Sequence, residues 1–266
     1  YVEGNTFMFA SELKAFYPHP AFRRKINKKA LGLYFKYGYV PAPYAIFENT
    51  HKLRQGHYLI CHLDTHTYDS HQYWNVMDFY HRPTLDISYD EAKVELERIL
   101  ESAFNYRMVA DVPVGVFLSG GYDSTALTAI LQKDRTEKLK TFTIGFPTGN
   151  NEAPIAREIA RRLGTDHTEA MCSEAECKKI IPTLPFFYDE PFADNSAVPT
   201  ILVSQLARKK VTVALSADAG DETFAGYNRY AGLAGIMKYL HAMRHLGGKR
   251  LADVVEAMCK TVNPYS

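Results

Sequence analysis

The chain has 266 residues, is 46% hydrophobic and 23% charged, and carries a formal net charge of +1. Such a make-up belongs to a folded protein with a sizeable core in one or two domains, and the near-neutral balance sets up no strong field toward nucleic acid or a membrane surface. No run approaches the roughly 18 apolar residues of a membrane span, and the four cysteines, Cys61, Cys172, Cys177 and Cys259, are too scattered for a zinc cluster, so reduced thiols in a cytoplasmic protein are expected.

Residues 1–16, "YVEGNTFMFASELKAF", read as a strand followed by a short helix. "FMFA" reads as a strand whose partners are missing, and the final "CKTVNPYS" stops without a domain-like finish, so the chain reads as a piece of a longer protein. Farther on, "PAP" at 41–43 breaks the helix that precedes it, because proline lacks the N–H that a helix needs. "GHYLICHL" alternates and predicts a hairpin strand. His57, His62, His66 and His71 fall in no ligand spacing and read as surface histidines rather than a metal site. Residues 1–80 are thus expected to form one region, a connector with a small antiparallel piece, and residues 81–266 a second domain.

A helix is predicted from Ser88, where "SYDE" has the form of a capping box with Glu91 three residues on. Leu96, Ile99, Leu100 and Ala103 make its apolar face, and Pro113 lies beyond its end. From residue 114 the pattern changes. "VGVFL", "KTFTIGF" and "VTVALS" are short apolar runs of the kind that form buried parallel strands, and "DHTE" predicts a brief strand. Between them lie helical stretches: "STALTAILQK"; "NEAPIAREIARRLG", with Ile155, Ile159 and Leu163 as its apolar face and Gly164 as its stop; and "PTILVSQLARKK". Alternating strands and helices predict an α/β fold with a doubly wound parallel sheet.

Ligands of such sheets sit beyond the carboxyl ends of the strands. Two polar stretches lie there. In "SGGYDS", glycines let several N–H groups face one concavity, and Ser119 and Ser124 offer hydroxyl donors, which makes a phosphate bed. A plain turn with Asp123 capping the next helix is the alternative. It is neither a dehydrogenase fingerprint nor a Walker A loop. The second stretch, "ALSADAGDETFAGYNRY", sets Asp218, Asp221 and Glu222 among small residues, and carboxylates there can hold a Mg²⁺ that bridges to phosphates. Asp123 is placed to share that metal. A third stretch, "FFYDEPFADNSAVPT", reads either as a substrate-facing loop or as a solvated connector.

"VPVGVFLSGGYDSTAL" resembles the PP-loop of the N-type ATP pyrophosphatases. With "FTIGF", "NEAPIAREIARRLGTDHTE", "YDEPFADNSAVPT" and "LSADAGDETFAGYNRY" in order, the chain resembles the synthetase domain of class B, glutamine-hydrolysing asparagine synthetases. "FASELKAF", "YGYVPAPYAIFENTHKLRQGHYL" and "YW" resemble the end of that family's glutaminase domain. The resemblance implies ATP and Mg²⁺, adenylation of a carboxylate (aspartate first), and transfer of ammonia released from glutamine. It places Ser119, Gly120, Gly121, Asp123 and Ser124 on the pyrophosphate, and Phe117 and Leu118 near the nucleoside. Ile144 would contact the adenine, with Ser216 and Ala217 on its other side. Asp123 and Asp221 would be metal ligands, and Asp218 a proton acceptor for the attacking nitrogen. It implies no nucleic-acid or membrane partner and admits a homodimer.

The chain departs from the family's pattern at Ala217, Ala219 and Ala225, each where glycine is usual, and at Asn151, where aspartate is common. No cysteine matches the glutaminase nucleophile, and the C-terminal region that carries a phosphate-steadying lysine in relatives has no match. The acceptor therefore stays open. A paralogue that amidates a sugar, peptide or polysaccharide precursor, or a non-catalytic nucleotide-binding regulator, are the alternative readings.

Overall fold

The computed structural model describes residues 1–147, 149, 151–230, 232, 233, 236 and 237. Cys259 and the closing "CKTVNPYS" lie outside the described residues. In chain order the first elements are β1 (Val2–Glu3), β2 (Thr6–Phe7), α1 (Lys28–Tyr37), β3 (His57–His62), β4 (Thr67–Gln72), α2 (Val76–Tyr80) and α3 (Tyr89–Arg107). Then come β5 (Val114–Phe117), α4 (Tyr122–Gln132), β6 (Lys140–Gly145), α5 (Ala153–Leu163) and β7 (Asp166–Met171). The last are α6 (Glu174–Ile180), α7 (Leu184–Phe187), α8 (Ala197–Arg208), β8 (Val213–Leu215) and α9 (Gly220–Phe224). Among the described residues no helix is long and apolar enough to cross a membrane.

The chain divides into two compact units, Tyr1–Glu97 with Cys172–Leu202, and Arg98–Met171 with the chain from Val203 on. The first has its own core around Phe22, which meets Tyr1 edge-on at 5.0 Å and Phe47 at 5.6 Å. Of "FMFA" only Phe7 lies in a strand, the two-residue Thr6–Phe7, which pairs with Val2–Glu3 across a two-residue turn. The helix before "PAP" ends earlier than the prolines, at Gly38, whose φ of +79° suits glycine and whose N–H donates to Tyr34 at 2.7 Å. The hairpin prediction holds, with β3 antiparallel to β4. In it, His62 lies 3.0 Å from Asp69 and His71 stacks on Tyr58.

Of the acids in the "YDEPFAD" stretch of this unit, Asp194 is exposed, but Asp189 and Glu190 are not. Asp189 and Glu190 are 11% and 15% exposed and are paired with Lys14 and Lys52.

The second unit holds the four-stranded parallel sheet, in the order β7-β6-β5-β8. Side chains alternate across it. Val116 joins Leu127 and Leu131 of α4, and Leu118 joins Ala156 and Ala160 of α5, so these helices cover one face. Phe117 and Phe142 point the other way, into Val203, Leu206 and Ala207 of α8, so both faces are covered. Gly115 belongs under the Phe142 ring, where a Cβ would come closer than 3.0 Å.

Two helices differ from their expected faces. In α5 the buried residues are Ala153, Ala156 and Ala160, while Ile155 is 56% exposed. Alanine lets the helix axis approach the strands, so the face of contact centres on the small residues, with Ile159 of the expected face packed beside them. Asn151 accepts from the Ala153 N–H at 3.2 Å and so completes the start of α5. In α3 the Ser88–Glu91 capping box forms, but Leu96 and Ile99 are exposed, and Phe104 and the following Met108 do the packing. The same Ser-x-x-Glu spacing also caps α6, through Ser173 and Glu176.

Two local features have consequences for stability. His167 on β7 bonds Thr141 through Nδ1 at 2.9 Å, while its Nε2 is buried without a partner. Burial lowers its pKa below the ordinary 6.5, with Glu169 and Asp166 pulling it up and Arg157 down. The folded protein therefore binds fewer protons than the unfolded chain just below that value, and stability is lost as pH falls through it. Ala219 and Ala225, which bracket α9, have φ of +72° and +56°, the left-handed region. There an L side chain costs roughly 1–2 kcal/mol, partly offset because alanine orders more cheaply than glycine.

A urea titration series from about pH 7.5 to about pH 5 is expected to show stability falling on the acid side, and His167→Asn to flatten that fall. An unchanged slope would place the effect elsewhere. Ala219→Gly and Ala225→Gly are each expected to stabilise the protein by about 0.5–1 kcal/mol, read as a higher urea midpoint. Destabilisation would mean that the methyl groups make compensating contacts.

Candidate functional site

The chain leaves β5 at Phe117 and turns within four residues into α4. Gly120 is required twice over. Its φ is +89°, and a Cβ there would press on the Ile155 side chain and the Ala156 backbone of α5. The Ser124 hydroxyl organises the turn. It accepts from the Ser119 N–H at 3.2 Å, lies 2.9 Å from the Ser119 hydroxyl and donates to the Gly121 carbonyl at 3.2 Å. The Gly121 N–H in turn donates to the Ser119 hydroxyl at 3.3 Å. Hydroxyl and N–H groups thus gather at one helix start, where they bond one another and could exchange those bonds for phosphate oxygens. The N-cap of α4 is Gly121, with no side-chain cap, so Asp123 does not serve as a cap.

Asp123 turns instead toward the acidic loop. Its carboxyl lies where a Cβ on Gly220 would stand, and the Asp221 carboxyl lies where a Cβ on Gly226 would stand. Each carboxylate is let in by a glycine. Asp123, Asp218 and Asp221 line one cleft of about 640 Å³ with Ser119, Gly121 and Ser124. Phe117, Ser216 and Ala217 line it as well. Glu222 does not: it accepts from the Tyr227 hydroxyl at 2.8 Å, a bond that raises the Tyr227 pKa.

Besides Glu222, three of the residues singled out in the sequence are not among those lining the cleft: Leu118, Gly120 and Ile144. The Leu118 side chain is buried against Ala156 and Ala160, and its backbone ties β5 to β6 through the Phe142 carbonyl and the Thr143 hydroxyl. Ile144 stands on β6 opposite Ala170. Tyr122, Gly220, Phe224 and Gly226 line the cleft and were not anticipated. Glycines beside acids in "AGDETFAG" are the signal that could have found two of them. Tyr122, 97% exposed at the rim, carries none.

The sheet order explains why the two loops meet. The chain builds outward from β5 to β6 to β7, then returns to the other flank of β5 as β8. The loops after β5 and β8 therefore leave neighbouring strands at the point where the order reverses, which is where open α/β sheets bind ligands.

The residues fit ATP with Mg²⁺. The serine hydroxyls and the Gly121 N–H suit phosphate. Among the described residues no cluster of three or more potential metal ligands occurs, but two carboxylates suffice for Mg²⁺, which ordinarily completes its shell with water and substrate phosphates.

Two family models match the chain: glutamine amidotransferase domain over residues 1–74 and asparagine synthase over residues 95–264. A Methanocaldococcus jannaschii protein assigned as a second glutamine-hydrolysing asparagine synthetase is 38% identical over 94% of this chain and 46% of its own length. Glutamine-hydrolysing asparagine synthetase 1 of Bacillus subtilis is 33% identical over 77% of this chain and 32% of its own. The chain thus spans less than half the length of either relative. A solved glutamine-dependent NAD⁺ synthetase from Acinetobacter baumannii is similar at 23% identity over 62% of this chain and 30% of that one, with a TM-score of 0.36, too distant to add to this. With its phosphate turn and acidic loop on one cleft, and with the asparagine synthase match covering more than half of its residues, the chain belongs to the asparagine synthase family.

Proposed function

We propose that the protein carrying this chain is an ATP-dependent amide-forming ligase that activates a carboxylate, aspartate first, and joins to it nitrogen released from glutamine. The observation that carries this reading is the meeting of the "SGGYDS" turn and the "SADAGD" loop in one cleft. Membership of the asparagine synthase family and the match to a glutamine amidotransferase domain support the amide chemistry and the nitrogen source.

Ser119, Ser124 and the N–H groups of the turn would hold the β- and γ-phosphates of ATP. Asp123 and Asp221 would hold Mg²⁺, which when bound supplies charge neutralisation for the departing pyrophosphate. Phe117, Ser216 and Ala217 would flank the nucleoside, with Ile144 outside the lining of the cleft, and Leu118 and Gly120 would shape the turn from beneath. The substrate carboxylate attacks the α-phosphorus and pyrophosphate leaves. Ammonia then attacks the acyl carbon, and AMP leaves. Positioning and charge supply most of the acceleration in such displacements. Asp218, an exposed carboxylate on the cleft, would take the proton that the attacking nitrogen sheds.

One observation favours a second reading, in which the acceptor is a carboxylate other than aspartate. Ala217 lines the cleft where relatives usually have glycine, so its methyl group changes the cleft's shape. ATP–pyrophosphate exchange against a panel of carboxylates separates the two readings.

Asp221→Asn is expected to weaken Mg²⁺-dependent ATP binding by about tenfold or more, while shifting stability by less than about 0.5 kcal/mol. Calorimetric titration with and without Mg²⁺ measures the first and urea melts the second; unchanged Mg·ATP affinity would remove Asp221 from the metal site. Asp218→Asn is expected to leave ATP–pyrophosphate exchange within about threefold and to slow amide formation by about 10²-fold or more. Equal losses in both half-reactions would assign Asp218 to the nucleotide instead.

A further inference from the structure

Asp189 and Glu190 belong to the part of the chain matched by the asparagine synthase family, yet they fold against the part matched by the glutamine amidotransferase domain. Each carboxylate sets one oxygen on a backbone N–H and the other toward a lysine, the second Asp189 oxygen being ion-paired without a hydrogen bond. One Asp189 oxygen accepts from the Lys14 backbone N–H at 3.1 Å and the other lies 3.2 Å from the Lys14 ammonium. One Glu190 oxygen accepts from the Ile46 N–H at 2.7 Å and the other pairs with the Lys52 ammonium. Lys52 also donates to the Val40 carbonyl at 2.5 Å. A backbone bond from Ala193 to the Gly38 carbonyl, 2.8 Å, completes the set.

Adhesion alone does not call for this chemistry. Apolar side chains of similar size would hold the two segments at least as firmly, since covered ion pairs add little net stability. Charged groups that must each find two partners discriminate between alignments, because a shifted segment leaves a covered carboxylate and a backbone N–H unpaired.

We propose that Asp189 and Glu190 are positioning residues that hold 186–194 in register with the amidotransferase-type segment, and that this register governs how well glutamine-derived nitrogen reaches the amide-forming step. The inference rests on the ligase reading above. Water hydrolyses the glutamine amide to glutamate and ammonia, and ammonia displaces AMP from the acyl group with loss of one proton. Ammonia that escapes into water near neutral pH becomes ammonium, which has no lone pair with which to attack. A loss of register thus penalises nitrogen from glutamine, whereas free ammonia supplied in excess enters from solvent regardless.

The test compares amide formation from glutamine with that from ammonium chloride in the natural protein carrying this chain. Asp189→Ala and Glu190→Ala are expected to lower the glutamine-dependent rate about tenfold and to leave the ammonia-dependent rate within about twofold. Glu190→Gln keeps an acceptor for the Ile46 N–H and should lose less than Glu190→Ala. Equal losses from both nitrogen sources, or no loss from either, would overturn the proposal. Hydrogen exchange reads the ties without catalysis. The Lys14 amide in Asp189→Ala and the Ile46 amide in Glu190→Ala should exchange about tenfold faster while the amides of β6 keep their rates; unchanged exchange also overturns it. Absence of amide formation by the unaltered protein from either source would instead refute the ligase reading, and the nitrogen-routing role with it.

Discussion

The pairing of β5 on both of its edges is the constraint on which the cleft depends. Gly115 and Val116 are held by Lys140 and Thr141 on one side and by Ala214 and Leu215 on the other. Parallel pairing sends both strands the same way, so the turn after Phe117 and the loop after Leu215 emerge side by side. Were β8 to pair elsewhere, Asp221 would lie at a different edge from Asp123, and no cleft would join them. The small side chains of the central strand serve this pairing. Gly115 leaves room for the Phe142 ring, and the ring in turn anchors α8.

Within the cleft, space is regulated by single carbon atoms. Gly220 and Gly226 admit the Asp123 and Asp221 carboxyls, so the two charged groups enter only because two side chains are missing. At Ala219 and Ala225 the opposite holds. The backbone keeps a conformation natural to glycine while bearing methyl groups. The loop that presents Asp218 and Asp221 is therefore under local strain. Strain of this kind persists where surrounding contacts over-determine the backbone, as they tend to at ligand sites.

The first unit obeys a different rule. Its aromatic core around Phe22 supplies cohesion, and the covered charges of Asp189 and Glu190 supply alignment. Cohesion is tolerant, because one apolar contact replaces another at small cost. Alignment is not, because a covered carboxylate without its partners has no good alternative.

Much of this was legible along the chain. The apolar runs at 114–118, 140–146 and 211–216 have the composition of buried parallel strands, and each strand lies within its run, because burial on both faces leaves little freedom in residue choice. The Ser88–Glu91 and Gly164 signals act over one helical turn, so they too could be read locally. The "SGGYDS" turn and the "SADAGD" loop were identifiable because glycine, hydroxyl and carboxylate chemistry is written in residue type. What the chain order could not reveal is which face a helix buries and what a distant carboxylate meets. The alanine face of α5, the exposure of Leu96 and Ile99, the burial of the Leu118 side chain, and the partners of Asp189 and Glu190 depend on residues up to 175 positions away. Local pattern reports what a segment can bury or bind; only the packing of the other segments against it decides which of those options is used.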